Sequence, residues 1–365
     1  MRIAYIIDRV SIGGAERLGV YVSSFLQKAG HDVAAFSISI PLGEKHNIGS
    51  FSWWREAGIR LFVRPRTPFI NRRHRMYWLS QHFKKWKPDL IWTAHDISTS
   101  IGQTLGQQLN IPVVSWHNVS HMFYDSLVYN GDYTCLWVGD SRATTDMLSR
   151  YLPEERVATW PPSLFDEGTF QLAQPWVPNT PLRLGSVGRL VSQKGYDILI
   201  NALSLLDADT LSIPFHITIV GDGSDRKKLE ALVARHNLQK YITFAGDMLN
   251  PYSFLSSLHL YLQPSRYEGF CISAHEAMQV GLPVIASNVG ELKYSVQNDQ
   301  TGWSVPPEDP SALRDAIKFA LHNPHLLAPM GQNAKRYVSE NFSSEKFIQN
   351  GNAVLQKIHN LTGLK

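Results

Sequence analysis

Two glutamates eight positions apart, Glu268 and Glu276, stand in the stretch QPSRYEGFCISAHEAMQVGLPVIASNVG, Gln263 to Gly290. A carboxylate accepts two hydrogen bonds from a vicinal diol such as a ribose, and the N–H groups that open a helix attract anionic or hydroxyl-rich ligands. Gly269, between the acids, removes a side chain where a ligand would approach the backbone. Arg189 and Lys194, in GRLVSQKGYDILINAL, are placed to grip a diphosphate, the first as a planar fork and the second as a point charge. Taken singly, each feature has an ordinary reading: paired acids occur on solvated helix faces, and basic residues occur near helix starts. His117, in SWHN, is either a structural hydrogen-bonding residue at a strand end or a substrate contact, and His95 holds the equivalent place in an earlier segment.

The elements that must position these residues follow one pattern. An apolar strand ends in polar or glycine residues, and a helix then begins. Strands are expected at Arg2 to Ile7, His31 to Ile38, Asp89 to Thr93, Pro112 to Trp116 and Leu136 to Val138 in the first part of the chain. In the second part they are expected at Leu182 to Val187, Phe215 to Val220, Ile242 to Phe244, Leu258 to Leu262, Pro283 to Ala286 and Thr301 to Val305. Such alternation implies parallel sheets with helices on both faces, and ligands then bind beyond the carboxyl ends of the strands. Gly13 and Gly14 fall at such an end after the first strand, without the complete dinucleotide fingerprint. Asp207-Ala208-Asp209 precedes the Phe215 strand, the wrong end of the sheet for a metal and sugar-nucleotide motif, and reads as a solvated turn. Pro153, Pro161, Pro162, Pro175, Pro178 and Pro181 mark a segment of low periodicity, which reads as an interdomain linker.

At 365 residues, with 44% hydrophobic and 18% charged content, the chain is long enough for two globular domains. Two cysteines, Cys135 and Cys271, give neither a disulfide framework nor metal-ligand spacing, and a reducing compartment is implied. Asp8 and Arg9 interrupt the opening apolar run, so it reads as a strand and not a signal peptide, and no run reaches the roughly 18 apolar residues of a membrane span. The net charge of +4 conceals a basic segment from Arg60 to Lys87, with nine Arg or Lys, no Asp or Glu, and Phe62, Phe69, Tyr77, Trp78, Phe83 and Trp86 among them. Basic residues interleaved with aromatics suit an anionic membrane surface, a lipid-phosphate acceptor or nucleic acid. A solvated helix face with Trp78 and Phe83 in the core is the plain alternative.

Glu268 and Glu276 in their context resemble the E-x7-E signature of the retaining glycosyltransferases of family 4 (group 1), and the resemblance runs through nearly the whole chain. It implies the GT-B fold: α/β, two Rossmann-like domains facing across a cleft. Residues 1–162 would form the acceptor domain, 163–181 a linker and 182–341 the nucleotide-sugar donor domain, with a C-terminal helix at about 342–365 packing back on the first. Catalytic roles carry over to His117, Arg189, Lys194 and Glu268, and donor binding to Gly14, Gly221, Phe270, Cys271, Ile272 and Glu276. Gly13, His95 and Asn118 fall on the acceptor side. Transfer would run from a UDP- or GDP-sugar to a saccharide or lipid-linked acceptor in cell-surface polysaccharide or glycolipid synthesis, with no cofactor and no metal. The protein would be cytoplasmic, peripheral on the inner membrane face, with no nucleic-acid partner. Three residues depart from the family pattern: Cys271 where Gly usually follows Phe, Glu291 where a second Gly often follows Gly290, and Tyr294 where an acid is common. A sugar-nucleotide epimerase and a non-catalytic sugar-nucleotide-binding protein share the architecture.

Overall fold

The computed structural model describes every residue except 9, 11–13, 40–47, 66–70, 95, 119–132, 165–169, 207–212, 249 and 365, and the side chains of 14–16, 48–50 and 96 are also left out. The chain divides into a first domain, Met1–Pro162 with Phe347–Lys365, and a second, Ser163–Lys346. Each is built on one parallel sheet, the two-Rossmann-like arrangement of the GT-B fold class.

The first sheet comprises β1 (Arg2–Ile7), β2 (Asp32–Ser37), β3 (Arg60–Val63), β4 (Leu90–Ala94), β5 (Val113–His117), β6 (Thr134–Gly139) and β7 (Val157–Thr159). They lie in the order β3-β2-β1-β4-β5-β6-β7, and every pairing is parallel. β4 and β5 are buried along their whole length, because helices cover both faces of a parallel sheet and each strand becomes a near-continuous apolar run. The C-terminal helix Ser344–Thr362 completes this domain. The indole N–H of Trp160 donates to Phe347 O at 3.0 Å, and Lys357 Nζ donates to Glu154 O and Val157 O at 2.9 and 2.7 Å.

In the second sheet β8 (Leu182–Val187), β9 (Phe215–Val220), β10 (Ile242–Gly246), β11 (Leu260–Gln263), β12 (Val284–Ser287) and β13 (Gly302–Val305) take the order β10-β9-β8-β11-β12-β13, again all parallel. This is the doubly wound order, in which the direction of winding reverses between the first and fourth strands, here β8 and β11. Residues 163–181, expected as a linker, make contacts within this domain: Leu164 N donates to Phe342 O, Ala173 N donates to Val280 O at 2.8 Å, and Trp176 packs against the apolar core. Three elements had no clear counterpart in the sequence pattern: β3, β7 and the helix Ile48–Glu56. Both strands are short, and β3 opens on a charged residue.

His259, which precedes β11, ties it to β8. Its Nδ1 accepts the Arg183 backbone N–H at 3.0 Å, and the side chain is 4% exposed. Burial, and then the Arg183 charge, push its pKa from 6.5 down to about 4. Between those two values the unfolded chain binds the proton and the folded chain does not, so stability falls as pH is lowered through this window. In a thermal unfolding series from pH 6.5 to 4, His259→Asn, which keeps an acceptor but does not titrate, is expected to flatten the fall in midpoint by one proton's worth. An unchanged slope in the variant would assign the effect to another group.

Candidate functional site

The carboxyl ends of β8 and β11 lie side by side at the reversal point, where open α/β sheets leave a crevice. β8 runs into Gly188-Arg189 and the 3-10 turn Ser192–Lys194, and β11 runs into Pro264 through Phe270. Arg266 clamps the two loops. Its guanidinium forks onto both Asp197 oxygens at 2.8 Å and donates to Ser192 O at 2.7 Å and to Glu308 at 3.0 Å. Its backbone N–H donates to Gln193 O at 2.8 Å, while Gln193 Nε2 donates to Tyr267 O at 3.1 Å. The guanidinium hydrogen bonds hold the Asp197 carboxyl below its usual pKa. Gly195 permits the approach: its φ is +66°, and a Cβ there would sit 2.0 Å from Pro264 O.

This clamp brings Lys194 Nζ to 2.6 Å from Glu268 Oε1, with side chains only 13% and 5% exposed. Ser265 Oγ donates to the same carboxylate oxygen at 2.7 Å, and Gln263 Nε2 lies 3.4 Å from it. Gln263 is itself held by Tyr261, whose hydroxyl also meets Val187 N and O at 3.0 and 3.1 Å. Burial alone would lower the Lys194 pKa, but the Glu268 carboxylate overrides it and raises the value. The result is a fixed ammonium. Tyr196, beside it, is pushed up to about 12 by burial and stays a neutral hydroxyl near Ser186 Oγ, 3.2 Å away.

The other expected residues of the second domain surround this pair. Arg189 is exposed on the loop after β8. Gly221 follows β9 with φ +134°, and a Cβ there would meet Gly188 O at 2.0 Å, so it brings the β8 and β9 loops together. Cys271 caps the helix Ile272–Gln279 with φ +64°, the left-handed region that favours Gly, and its buried thiol is pushed up to about 12 by burial and by Glu268. Ile272, half-buried, begins the helix, and Glu276, 6% exposed, lies in its second turn. Phe270 is packed inward, stacked on His275 at 4.1 Å and edge-on to Phe342.

In the first domain His117 closes β5, is 6% exposed and stacks on Trp137 at 5.2 Å. Asn118 follows it, half-buried, and Gly14 opens the helix Gly14–Lys28. Gly13, His95 and the Asp207-Ala208-Asp209 turn lie outside the described residues. Among the described residues no group of three His, Cys, Asp or Glu is arranged to hold a metal ion, and no helix is long and apolar enough to cross a membrane.

Sequence reasoning missed Tyr261, Gln263, Ser265 and Arg266 as the supports of the ion pair. Three of them stand in the Gln263 to Gly290 stretch itself, and polar residues directly after a buried strand were the available signal. Removing one member of a buried pair leaves an uncompensated charge, at a cost on the order of 3 kcal/mol. Lys194→Met is therefore expected to lower second-domain stability in denaturant titrations by about that amount, and Lys194→Met with Glu268→Gln by clearly less. Additive losses in that double-mutant cycle would mean that the pair is not coupled.

Residues 170–337 match the family model of glycosyl transferases group 1. An uncharacterized glycosyltransferase of Methanocaldococcus jannaschii is 32% identical over 173 residues, 47% of each chain, so that match spans about half the length of that relative. One of Haemophilus influenzae is 23% identical over 368 residues, 96% of this chain and 98% of its own. Among solved structures, HepE of Anabaena in complex with UDP and glucose superimposes with a TM-score of 0.81 at 17% identity, covering 98% of this chain and 99% of that one. The sheet orders and this likeness agree on the GT-B fold, and the family match over residues 170–337 with the named relatives supports a group 1 glycosyltransferase.

Proposed function

We propose that this protein is a retaining, metal-independent glycosyltransferase of family 4 that moves a sugar from a UDP- or GDP-sugar to a saccharide or glycolipid acceptor in cell-surface polysaccharide or glycolipid synthesis. The observation that carries the reading is the buried Lys194 ammonium, held 2.6 Å from Glu268 at the carboxyl ends of β8 and β11, with Arg189 exposed on the same loop. That is a preorganised cation where a diphosphate would lie. HepE, of the same fold, is described with UDP and glucose, which favours a uridine donor.

In this reading the second domain takes the donor. Glu276 accepts the ribose hydroxyls, Gly221 lets the β9 loop approach the nucleotide, and Glu268 with the backbone N–H groups of Phe270, Cys271 and Ile272 holds the sugar. The bond from the anomeric carbon to the diphosphate oxygen breaks and its electron pair goes to the diphosphate. Negative charge therefore grows next to Arg189 and Lys194, which stabilise the transition state more than the ground state. The acceptor hydroxyl forms the new bond on the same face and passes its proton to the leaving phosphate. The first domain takes the acceptor through Gly13, His95 and Asn118, while His117 and Gly14 serve the donor. Its exposed basic face, including Arg72, Arg73, Lys84 and Lys85, meets an anionic membrane surface on the cytoplasmic side.

Titration calorimetry of UDP, GDP and ADP into the wild type is expected to show micromolar binding of one nucleotide, weakened about tenfold or more in Glu276→Ala. Transfer with the sugar of that nucleotide is expected to persist in EDTA, with loss of about 100-fold or more in Arg189→Ala. Equal nucleotide binding by wild type and Glu276→Ala would remove the donor assignment. Nucleotide binding with release of an epimer, or with no transfer to any acceptor, would replace the transferase by an epimerase or a binding protein.

A further inference from the structure

The basic segment contains one feature that a solvated surface does not explain. Arg64 directly follows β3, at the carboxyl edge of the first sheet, where its N–H donates to Ser37 O at 3.0 Å beside the end of β2. Its side chain is buried, at 4% exposure. Arg75 stands in the first turn of the helix Arg72–Trp86, which begins at that same edge, and its Nε is buried with no hydrogen-bond partner among the described residues. The two guanidiniums are near enough that the Arg75 charge adds to burial in lowering the Arg64 pKa. The first turn of that helix carries no acid, and residues 60–87 contain none.

Two like charges drawn out of water next to each other are costly, and the cost turns to gain when an oxyanion enters between them and accepts forked hydrogen bonds from both. Arg60 shows the contrast at the other end of the strand. It is neutralised by Asp32 at 2.5 Å and lies over the Trp86 ring at 5.3 Å. The helix start is held still as well: Arg72 donates to Thr104 Oγ1 at 2.7 Å and reaches Ser100 O and Oγ at 3.3 Å, while Asn71 Oδ1 accepts His74 N–H at 3.0 Å. The free first-turn N–H groups and the helix dipole add to the attraction for an anion.

We propose that Arg64 and Arg75 form an oxyanion site at the carboxyl end of β3 that takes the phosphate or carboxylate group of a ligand. That this ligand is the acceptor rests on the transferase reading; the binding itself does not.

Inorganic phosphate, titrated at constant ionic strength while first-domain unfolding is followed, tests the site. A saturable rise in midpoint is expected in the wild type and in Lys194→Met, where the second domain's cation is gone. In Arg75→Met, a substitution of a half-buried side chain, phosphate affinity is expected to fall about tenfold or more. Arg64→Met should do the same where it folds. A rise that survives Arg75→Met, one that vanishes in Lys194→Met, or none beyond that of sodium chloride would overturn the proposal. Glucuronate in place of phosphate reads the carboxylate arm, with the same dependence on Arg75 expected. Sedimentation with phosphatidylglycerol vesicles reads the lipid arm, and an Arg75 dependence seen only there, without one for free phosphate, would sink the discrete site. Arg75-dependent phosphate binding in a protein that ignores UDP and GDP would keep the site and discard the acceptor role.

Discussion

The second domain is organised around one buried ion pair. Removing Lys194 and Glu268 from water costs several kcal/mol per charge, and their mutual attraction offsets it only if the remaining hydrogen-bonding capacity is met. Ser265 and Gln263 meet it at Oε1, and Tyr261 fixes Gln263 against the β8 backbone. Each support lies on β11 or its loop, whereas the lysine comes from the loop after β8. The pair therefore depends on the register that sets Leu260 beside Leu184 and Tyr261 beside Gly185. It depends equally on Gly195, since any side chain there would strike the Pro264 carbonyl. A lysine held this way keeps its charge and its position before any ligand arrives. That is the condition under which electrostatic stabilisation requires little reorganisation during reaction.

The first domain uses the same reversal of winding with opposite chemistry. Between β1 and β4 the group presented is a carboxylate: Asp8 Oδ1 accepts the Ser98 N–H at 2.7 Å, so it caps the first turn of the helix Asp96–Leu109. Behind it Thr93, Thr99 and Ser115 share a buried hydroxyl network within 3.2 Å. An acid at a helix start cancels the positive end of the dipole. This edge is thus less inviting to an anion near β1 and β4 than near β3, where Arg64 and Arg75 lie. Identical topology fixes where a site can form; the side chains after each strand decide its sign.

The same division explains what was legible in the chain. Arg2–Ile7, Leu182–Val187 and Phe215–Val220 occur as read, because each is an apolar run closed by a polar residue or a glycine. β7 has three residues and β3 four, too few for periodicity to register. The loops that carry Arg189, Lys194, Glu268 and the helix of Glu276 were legible from their resemblance, and their meeting follows from the sheet order. The Arg266–Asp197 fork was not, since its partners are 69 positions apart and neither spacing nor composition links them. Cys271 was noticed as a departure from a glycine. Its φ of +64° gives the physical reason that glycine suits the place and marks local strain at the mouth of the helix.

Aromatic and basic residues in the Arg60 to Lys87 segment part company in the folded chain. Phe36 gathers the rings of Phe62, Trp78, Phe83 and Trp86 around itself at 5.0 to 6.2 Å, so most of the described aromatics build the domain. Tyr77, 67% exposed, is the one that stands well clear among them. The cations meanwhile stay on the outer face or gather at the carboxyl edge. Hydrophobic insertion and electrostatic attraction thus make unequal contributions on this face, and the second dominates. Attraction of that kind fades over a Debye length of about 8 Å at physiological salt, so it selects groups that come to the surface with their charge exposed. A phosphate or a carboxylate qualifies and an uncharged sugar does not. Any discrimination this face exercises therefore concerns the charged part of a partner, which leaves recognition of neutral sugar hydroxyls to the shorter-range hydrogen bonds at the strand ends.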